Sequence, residues 1–110
     1  MNPFFNPLTL QPRAILIDTE SKVVQKFRTS ASFKIDPKNI VAGASGRANN
    51  WAYGYSQLDE PELDGRYDSL SLESLRREVE ACDFYTGCFL FHSLAGGSGS
   101  GLGSRMLEVI

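Results

Sequence analysis

Between Gly96 and Gly103 the chain reads GGSGSGLG, five glycines in eight residues, with apolar FLFHSLA before it and RMLEVI after it. Glycine loses more backbone freedom on folding than any other residue, so a run this dense needs a structural reason. One reading is a flexible linker, because Gly/Ser runs behave as random coil. The other is a tight turn from a strand into a helix, where the absence of side chains lets backbone N–H groups close on an anion. The flanks favour the second. Cys88-Phe89-Leu90-Phe91 is a continuous apolar stretch of the kind found in strands buried on both faces. Beyond the run, Leu102, Met106, Leu107 and Ile110 recur on one side of a 3.6-residue helix.

Spacing excludes two familiar glycine motifs. The dinucleotide pattern G-x-G-x-x-G fails in every frame: Gly97 and Gly99 would require glycine at Leu102, and Gly99 and Gly101 would require it at Ser104. Gly96 and Gly101 have the glycine spacing of a Walker loop, but the lysine that should reach the outer phosphates falls at Leu102. A loop without that lysine must hold phosphate with backbone amides, the hydroxyls of Ser98 and Ser100 and the helix dipole, and take its positive charge from elsewhere, most simply a metal.

At 110 residues the chain is at most one small domain, and a formal net charge of −2 argues against nucleic-acid or anionic-membrane partners. No apolar run approaches membrane-spanning length, and MNPFFNPLTL lacks the features of a signal peptide, so cytosol is the default expectation. The two cysteines, Cys82 and Cys88, with the single histidine, His92, are poor metal-site arithmetic. Both thiols are expected reduced, in or near the core, and His92 is expected to be a hydrogen-bonded structural residue. The helical pattern from Leu102 reaches Ile110 without a terminating signal, so the chain is expected to be a piece of a larger domain.

Upstream, Arg13 to Asp18 forms a second short apolar strand. Ser21 to Phe27 alternates weakly between polar and apolar residues, Asp36-Pro37-Lys38-Asn39 is a turn signal, and Gly43 to Asn50 is a second small-residue loop. Residues 57 to 68 are acidic and turn-rich, with a solvated loop expected. From Ser69 an amphipathic helix carries Leu72, Leu75, Val79 and Cys82 along one stripe. Helix and strand together make an α/β unit, and ligands in such sheets bind beyond the carboxyl ends of the strands. The first strand delivers Asp18 and Glu20 there, a pair suited to Mg2+. A solvated strand end explains the same two residues equally well.

Three stretches then carry a family resemblance. AGGSGSGLGS from Ala95 resembles the tubulin signature loop, GRANNWAYGY from Gly46 resembles the tubulin loop built on G-N-N-W-A, and PRAILIDTE from Pro12 resembles the tubulin strand ending in Asp-Leu-Glu. Their order also matches. Asn50-Trp51-Ala52-Tyr53-Gly54-Tyr55 is most similar to delta-tubulin, since alpha and beta chains carry a Gly-His pair after the core. The resemblance implies a partial Rossmann-like α/β GTPase domain, with a mostly parallel sheet and flanking helices, over residues 12–110 and truncated at both ends. Residues 1–11 are left as an irregular segment.

The resemblance also implies roles. Ser93, Ala95, Gly96, Gly97, Ser98, Gly99, Ser100 and Gly101 would wrap the phosphates of GTP, with Ser98 replacing a usual threonine. Glu20 would be the magnesium-side carboxylate with Asp18 close by. Arg47, Ala48 and Asn49 would sense the terminal phosphate, although Ala48 replaces a usual glycine and Ser21 a usual proline. Implied partners are other tubulin subunits or microtubules, and implied locations are the cytoskeleton, centriole, basal body or cilium. The resemblance implies GTP hydrolysis only in the full-length assembled form, because hydrolysis in tubulins needs an acidic residue from the next subunit. A free-standing α/β phosphate-binding protein or enzyme is the alternative.

Overall fold

A computed structural model describes residues 3–19, 22, 24–26, 34–43, 50–56 and 67–110. Its sheet is a parallel pair, β1 (Leu16–Asp18) and β2 (Ile40–Ala42), registered Leu16 to Ile40, Ile17 to Val41 and Asp18 to Ala42. The amide of Gly43 donates to the Asp18 carbonyl at 3.0 Å and carries the ladder one step further. The turn signal leads directly into β2. Asp36 accepts the Lys38 amide through its carboxylate at 2.9 Å, and Pro37–Asn39 makes a single 3-10 turn. Proline with its fixed φ suits the first position of such a turn.

Among the described residues three helices follow: α1 (Trp51–Ser56), α2 (Tyr67–Glu80) and α3 (Gly103–Val109), the last entered through a π turn at Ser98–Leu102. Lys22 and residues 24–26 are also helical, with Val24 buried. Parallel strands with helices between and beside them form an α/β arrangement, as the sequence pattern predicts. The core is small. Val41 of β2, Tyr67 of α2 and Leu102 of the π turn form its buried centre, and Ile17 and Leu70 pack against it.

Helix α2 differs from its expected orientation. Its innermost face is Tyr67, Ser71 and Ser74, exposed by only 1, 2 and 1%, while Leu72, Leu75, Val79 and Cys82 are half-buried. The reason is polar docking. The Ser74 hydroxyl donates to the Lys38 carbonyl at 2.7 Å, Arg77 donates to the same carbonyl at 3.1 Å, and Asn39 donates to the Glu78 carboxylate at 2.6 Å. Serine is small enough to bring the helix axis close to the 3-10 turn, and burial of the Ser74 hydroxyl is tolerated because a partner is supplied, whereas Ser71 Oγ is buried without a partner among the described residues. Tyr67, assigned to an acidic loop by composition, instead opens the helix. The remainder of that loop, residues 57–66, lies outside the described residues.

The expected strand Cys88–Phe91 is not a strand. No ladder partner reaches it among the described residues, and Phe89 and Phe91 are 75 and 90% exposed. An apolar run becomes a buried strand only when neighbouring strands satisfy its backbone and other layers cover its faces. Here its aromatic contacts are loose, with Phe89 tilted at 6.1 Å from Phe4 and 6.4 Å from Phe91. Cys88, expected in or near the core, is exposed with this segment. Cys82 is half-buried, accepts from the Arg13 guanidinium, and donates to the Glu78 carbonyl at 3.2 Å.

Candidate functional site

The glycine run is coiled. Gly96, at φ 79°, turns the chain through the left-handed region that favours glycine, and the backbone then winds from Gly97 through the π turn into α3. Among the described residues, three side-chain donors hold carbonyls of this coil. Ser100 donates to the Gly96 carbonyl, Ser104 to the Ser100 carbonyl at 2.5 Å, and His92 Nδ1 lies 3.0 Å from the Gly99 carbonyl. The Ser93 hydroxyl donates to the Ala95 carbonyl at 2.6 Å.

Two glycines are required by close approach of backbone to backbone. A Cβ on Gly54 of α1 would stand 2.1 Å from the Gly97 carbonyl oxygen, and a Cβ on Gly101 would stand 2.2 Å from the Trp51 carbonyl oxygen. Helix α1 and the π turn therefore meet main chain against main chain, which no side chain larger than hydrogen permits. Around this contact the two helices are tied by side chains. Trp51 stacks on Tyr55 at 4.7 Å, the Tyr55 hydroxyl donates to Glu108 at 2.7 Å, and Trp51 Nε1 donates to Ser104 at 3.4 Å. Arg105 lies over the Tyr55 ring at 5.8 Å. The sequence alone gives Trp51 and Tyr55 no function; their spacing of four on a short helix is the available signal.

Leu102, at the position where a Walker loop carries lysine, is 2% exposed in the core beside Val41. A side chain there points into the protein, so the coil carries no cation of its own at that place. Met106, one turn later, is also buried, whereas Leu107 and Ile110 are 64 and 50% exposed, so only half of the expected apolar stripe faces inward.

The expected site residues are distributed as follows. Ser93 and Ala95 are exposed, Gly96 and Gly99 half-buried, and Gly97, Ser100 and Gly101 buried, while Ser98 opens the π turn. Ala95 is exposed and Gly96 half-buried, and neither carries a side chain larger than methyl, so an anion can approach main-chain amides there, whereas the Ser93 side chain lies over Gly99. The first N–H groups of a coil lack acceptors within it and supply donors for such an anion. The hydroxyls of Ser93 and Ser100 are committed to carbonyls of the turn and shape it from within. Asp18 sits at the carboxyl end of β1, directly after Ile17, which packs on the cluster containing Leu102. The carboxyl end of the parallel pair and the coil thus share one small core. Glu20, Arg47, Ala48 and Asn49 lie outside the described residues. Among the described residues, no three acidic, histidine or cysteine side chains gather into a metal-binding group.

Comparison with known proteins follows the same residues. The family model for the GTPase domain of the Tubulin/FtsZ family matches residues 2–110. The chain is 45% identical over 104 residues to the tubulin gamma chain of Candida albicans, covering 93% of this chain and 19% of that protein. It is 40% identical over 113 residues to beta-Tubulin at 65B of Drosophila melanogaster, covering 100% of this chain and 23% of that one. The tubulin beta-4B chain of Mesocricetus auratus is 39% identical over 114 residues, which cover 100% of this chain and 38% of that sequence. The chain therefore spans between about a fifth and two fifths of the length of these relatives.

Proposed function

The chain belongs to the Tubulin/FtsZ family through its GTPase domain, and from that premise we propose that it is part of a GTP-binding cytoskeletal subunit whose phosphate cradle is the coil entered at Gly96. The observation that carries this reading is the glycine-to-glycine seam between α1 and the π turn, Gly54 on Gly97 and Gly101 on Trp51. The seam fixes the coil as a rigid, side-chain-poor surface. A linker has no use for such a surface, and a set of amides aimed at an anion requires it. Ser93 and Ala95 to Gly101 would hold the phosphates, Arg47, Ala48 and Asn49 would meet the terminal one, and residues 12–110 would form the nucleotide-binding unit. Partners would be other tubulin subunits or microtubules.

Leu102 gives the coil no cation, so a divalent ion, Mg2+, is assigned to Glu20 with Asp18 in support. When bound, that ion would neutralise phosphate charge. This chain's part that the described residues include is Asp18, at the carboxyl end of β1 and next to Ile17, which packs on the core that anchors the coil. The delta-like subtype, with its centriolar, basal-body or ciliary setting, rests on Asn50 to Tyr55. Tyr55 is where the resemblance separates the delta type from alpha and beta chains, and it is the residue whose hydroxyl reaches Glu108.

Equilibrium binding of labelled GTP by the full-length protein tests the cradle. A Cβ on Gly99 would stand 2.0 Å from the Ser93 hydroxyl oxygen and 3.1 Å from the Ser93 amide nitrogen, so Gly99→Val must displace the segment entering the coil. Binding is expected to be abolished, and unchanged affinity would remove the coil from the site. Glu20→Ala is expected to weaken GTP binding, leave GDP binding less affected, and flatten the dependence on magnesium. Magnesium titrations with the same midpoint and amplitude in variant and wild type would return Glu20 to a solvated strand end.

A further inference from the structure

Of the three side chains that, among the described residues, donate to the coil's carbonyls, Ser100 and Ser104 belong to the coil itself. His92 comes from outside it. Its Nδ1 lies 3.0 Å from the Gly99 carbonyl and 3.0 Å from the carbonyl of Ser93, its own neighbour. Both partners are acceptors only, so the shared nitrogen must carry the proton, and the ring is held as the Nδ1–H form or as the cation. The ring also fills the space over Gly103: a Cβ there would stand 2.9 Å from His92 Cβ, Cγ and Nδ1. Gly99 and Gly103 are four residues apart and flank the joint at which the π turn becomes α3. One imidazole therefore hydrogen-bonds the first side of that joint and packs on the second.

A peptide unit is planar and trans, so its C=O and the following N–H point in opposite directions. Pinning the Gly99 carbonyl toward His92 aims the Ser100 N–H the other way. The Ser100 hydroxyl on the Gly96 carbonyl does the same for the Gly97 N–H, and the Ser93 hydroxyl on the Ala95 carbonyl for the Gly96 N–H. A π turn departs from ordinary α geometry, is rare, and occurs mostly as a single turn, frequently at a functional site. We propose that His92 is the positioning residue of the glycine coil, orienting the amides that meet the nucleotide phosphates through an Nδ1–H bond to Gly99 and a steric wedge against Gly103. The proposal rests on the reading of the coil as a phosphate cradle and adds to it a residue that touches no nucleotide.

The test uses replacements that separate the two ring nitrogens. Asparagine places its amide nitrogen near where Nδ1 stands, and glutamine places its own near Nε2. In the full-length protein, His92→Ala is expected to weaken labelled GTP and GDP alike by about tenfold, close to the loss of one hydrogen bond of about 1.4 kcal/mol. His92→Asn should recover affinity to within about threefold of wild type, and His92→Gln should not. Gly103→Ala should weaken binding in the wild-type background and have little further effect in His92→Gly, where both the ring and the Cβ that it would meet are gone. Glutamine equal to asparagine, alanine at wild-type affinity, or additive losses from His92→Gly and Gly103→Ala would overturn the proposal.

A readout independent of nucleotide is the ring tautomer. Long-range 15N–1H spectra of the full-length protein, with His92 assigned by its absence from the His92→Asn spectrum, should show a proton on Nδ1. A neutral ring protonated only on Nε2 would overturn the assignment whether or not GTP binds. Wild-type protein that fails to bind GTP while showing the Nδ1 proton would instead support the structural contact and overturn the cradle.

Discussion

Two apolar-flanked regions of this molecule meet opposite fates. At the seam of α1 with the π turn, a composition dominated by glycine and serine is buried. Just upstream of the coil, the most apolar stretch in its vicinity, Cys88 to Phe91, is largely exposed. Hydrophobicity alone ranks the two the wrong way round. Burial is decided by which segment finds a complementary surface, and glycine finds one because it brings main chain within reach of main chain. The phenylalanines of residues 88–91 offer more apolar area but meet no opposing layer among the described residues.

The largest effect should come from putting a side chain into the seam. Gly54→Leu would drive its Cβ into the Gly97 carbonyl, with backbone rather than a yielding side chain on the other side. A loss of about 3 kcal/mol or more is expected, at the upper end of what overpacking costs, and a urea titration of the full-length protein would measure it. A midpoint within error of wild type would show that the seam opens at little cost, and the contrast with residues 88–91 would disappear.

Next in size is the side-chain lacing around the seam. Tyr55→Phe and Glu108→Gln each remove or weaken one hydrogen bond, which should cost about 1 kcal/mol in the same titration. The double variant should cost little more than Glu108→Gln alone, since both changes act on the Tyr55–Glu108 contact and only the second also removes the 3.6 Å ion pair of Glu108 with Arg105. Additive losses would mean that the two residues stabilise the helices independently.

A smaller effect sharpens the other side of the comparison. Phe89→Ser and Phe91→Ser should each shift stability by no more than about 0.5 kcal/mol, as surface substitutions usually do. A loss of several kcal/mol at either position would show that these rings are covered in the full-length protein.

The smallest effect lies on the solvent face of α2, where Arg76 bridges Glu73 and Glu80, each at 2.5 Å. The hydrogen bond from Arg76 holds the Glu73 carboxyl below the usual carboxylate range. A carboxyl lowered in the folded state adds stability above its unfolded pKa and loses it as pH falls through the folded value. Glu73→Gln should therefore be slightly less stable than wild type near neutrality, and the two should converge in acid. The groups are exposed, so the gap should narrow with added salt. A gap that persists at low pH would assign the effect to something other than the ion pair.

Much of the architecture was legible without coordinates. The Asp36 turn, β1, the helix from the late sixties to Glu80 and the coil running toward Ile110 were all marked by local signals: proline after aspartate, a short apolar run, and 3.6-residue periodicity. The lysine missing at Leu102 was legible too. Strand β2 was not, because Ile40 to Ala42 is three residues long and lies between turn signals. Nor was the inward face of α2, because Ser71 and Ser74 look like solvent residues until the Lys38 carbonyl is seen opposite Ser74. His92 could be read as structural from its lone occurrence, but its partners could not, because the Gly99 carbonyl meets it only after the coil has wound back toward it.

What the sequence determined by itself was local and chemical: where the chain can bend, where it can coil, which segment lacks side chains, and that three motifs stand in the order of one family. Tertiary structure decided which surfaces met. It paired β1 with β2, seated Gly54 on the coil and turned serines inward, and it left Phe89 and Phe91 outside. The physical reason is that local signals depend on neighbours along the chain. Burial depends on the shape and hydrogen-bonding capacity of a surface contributed by residues far away in sequence, and no window of sequence contains it.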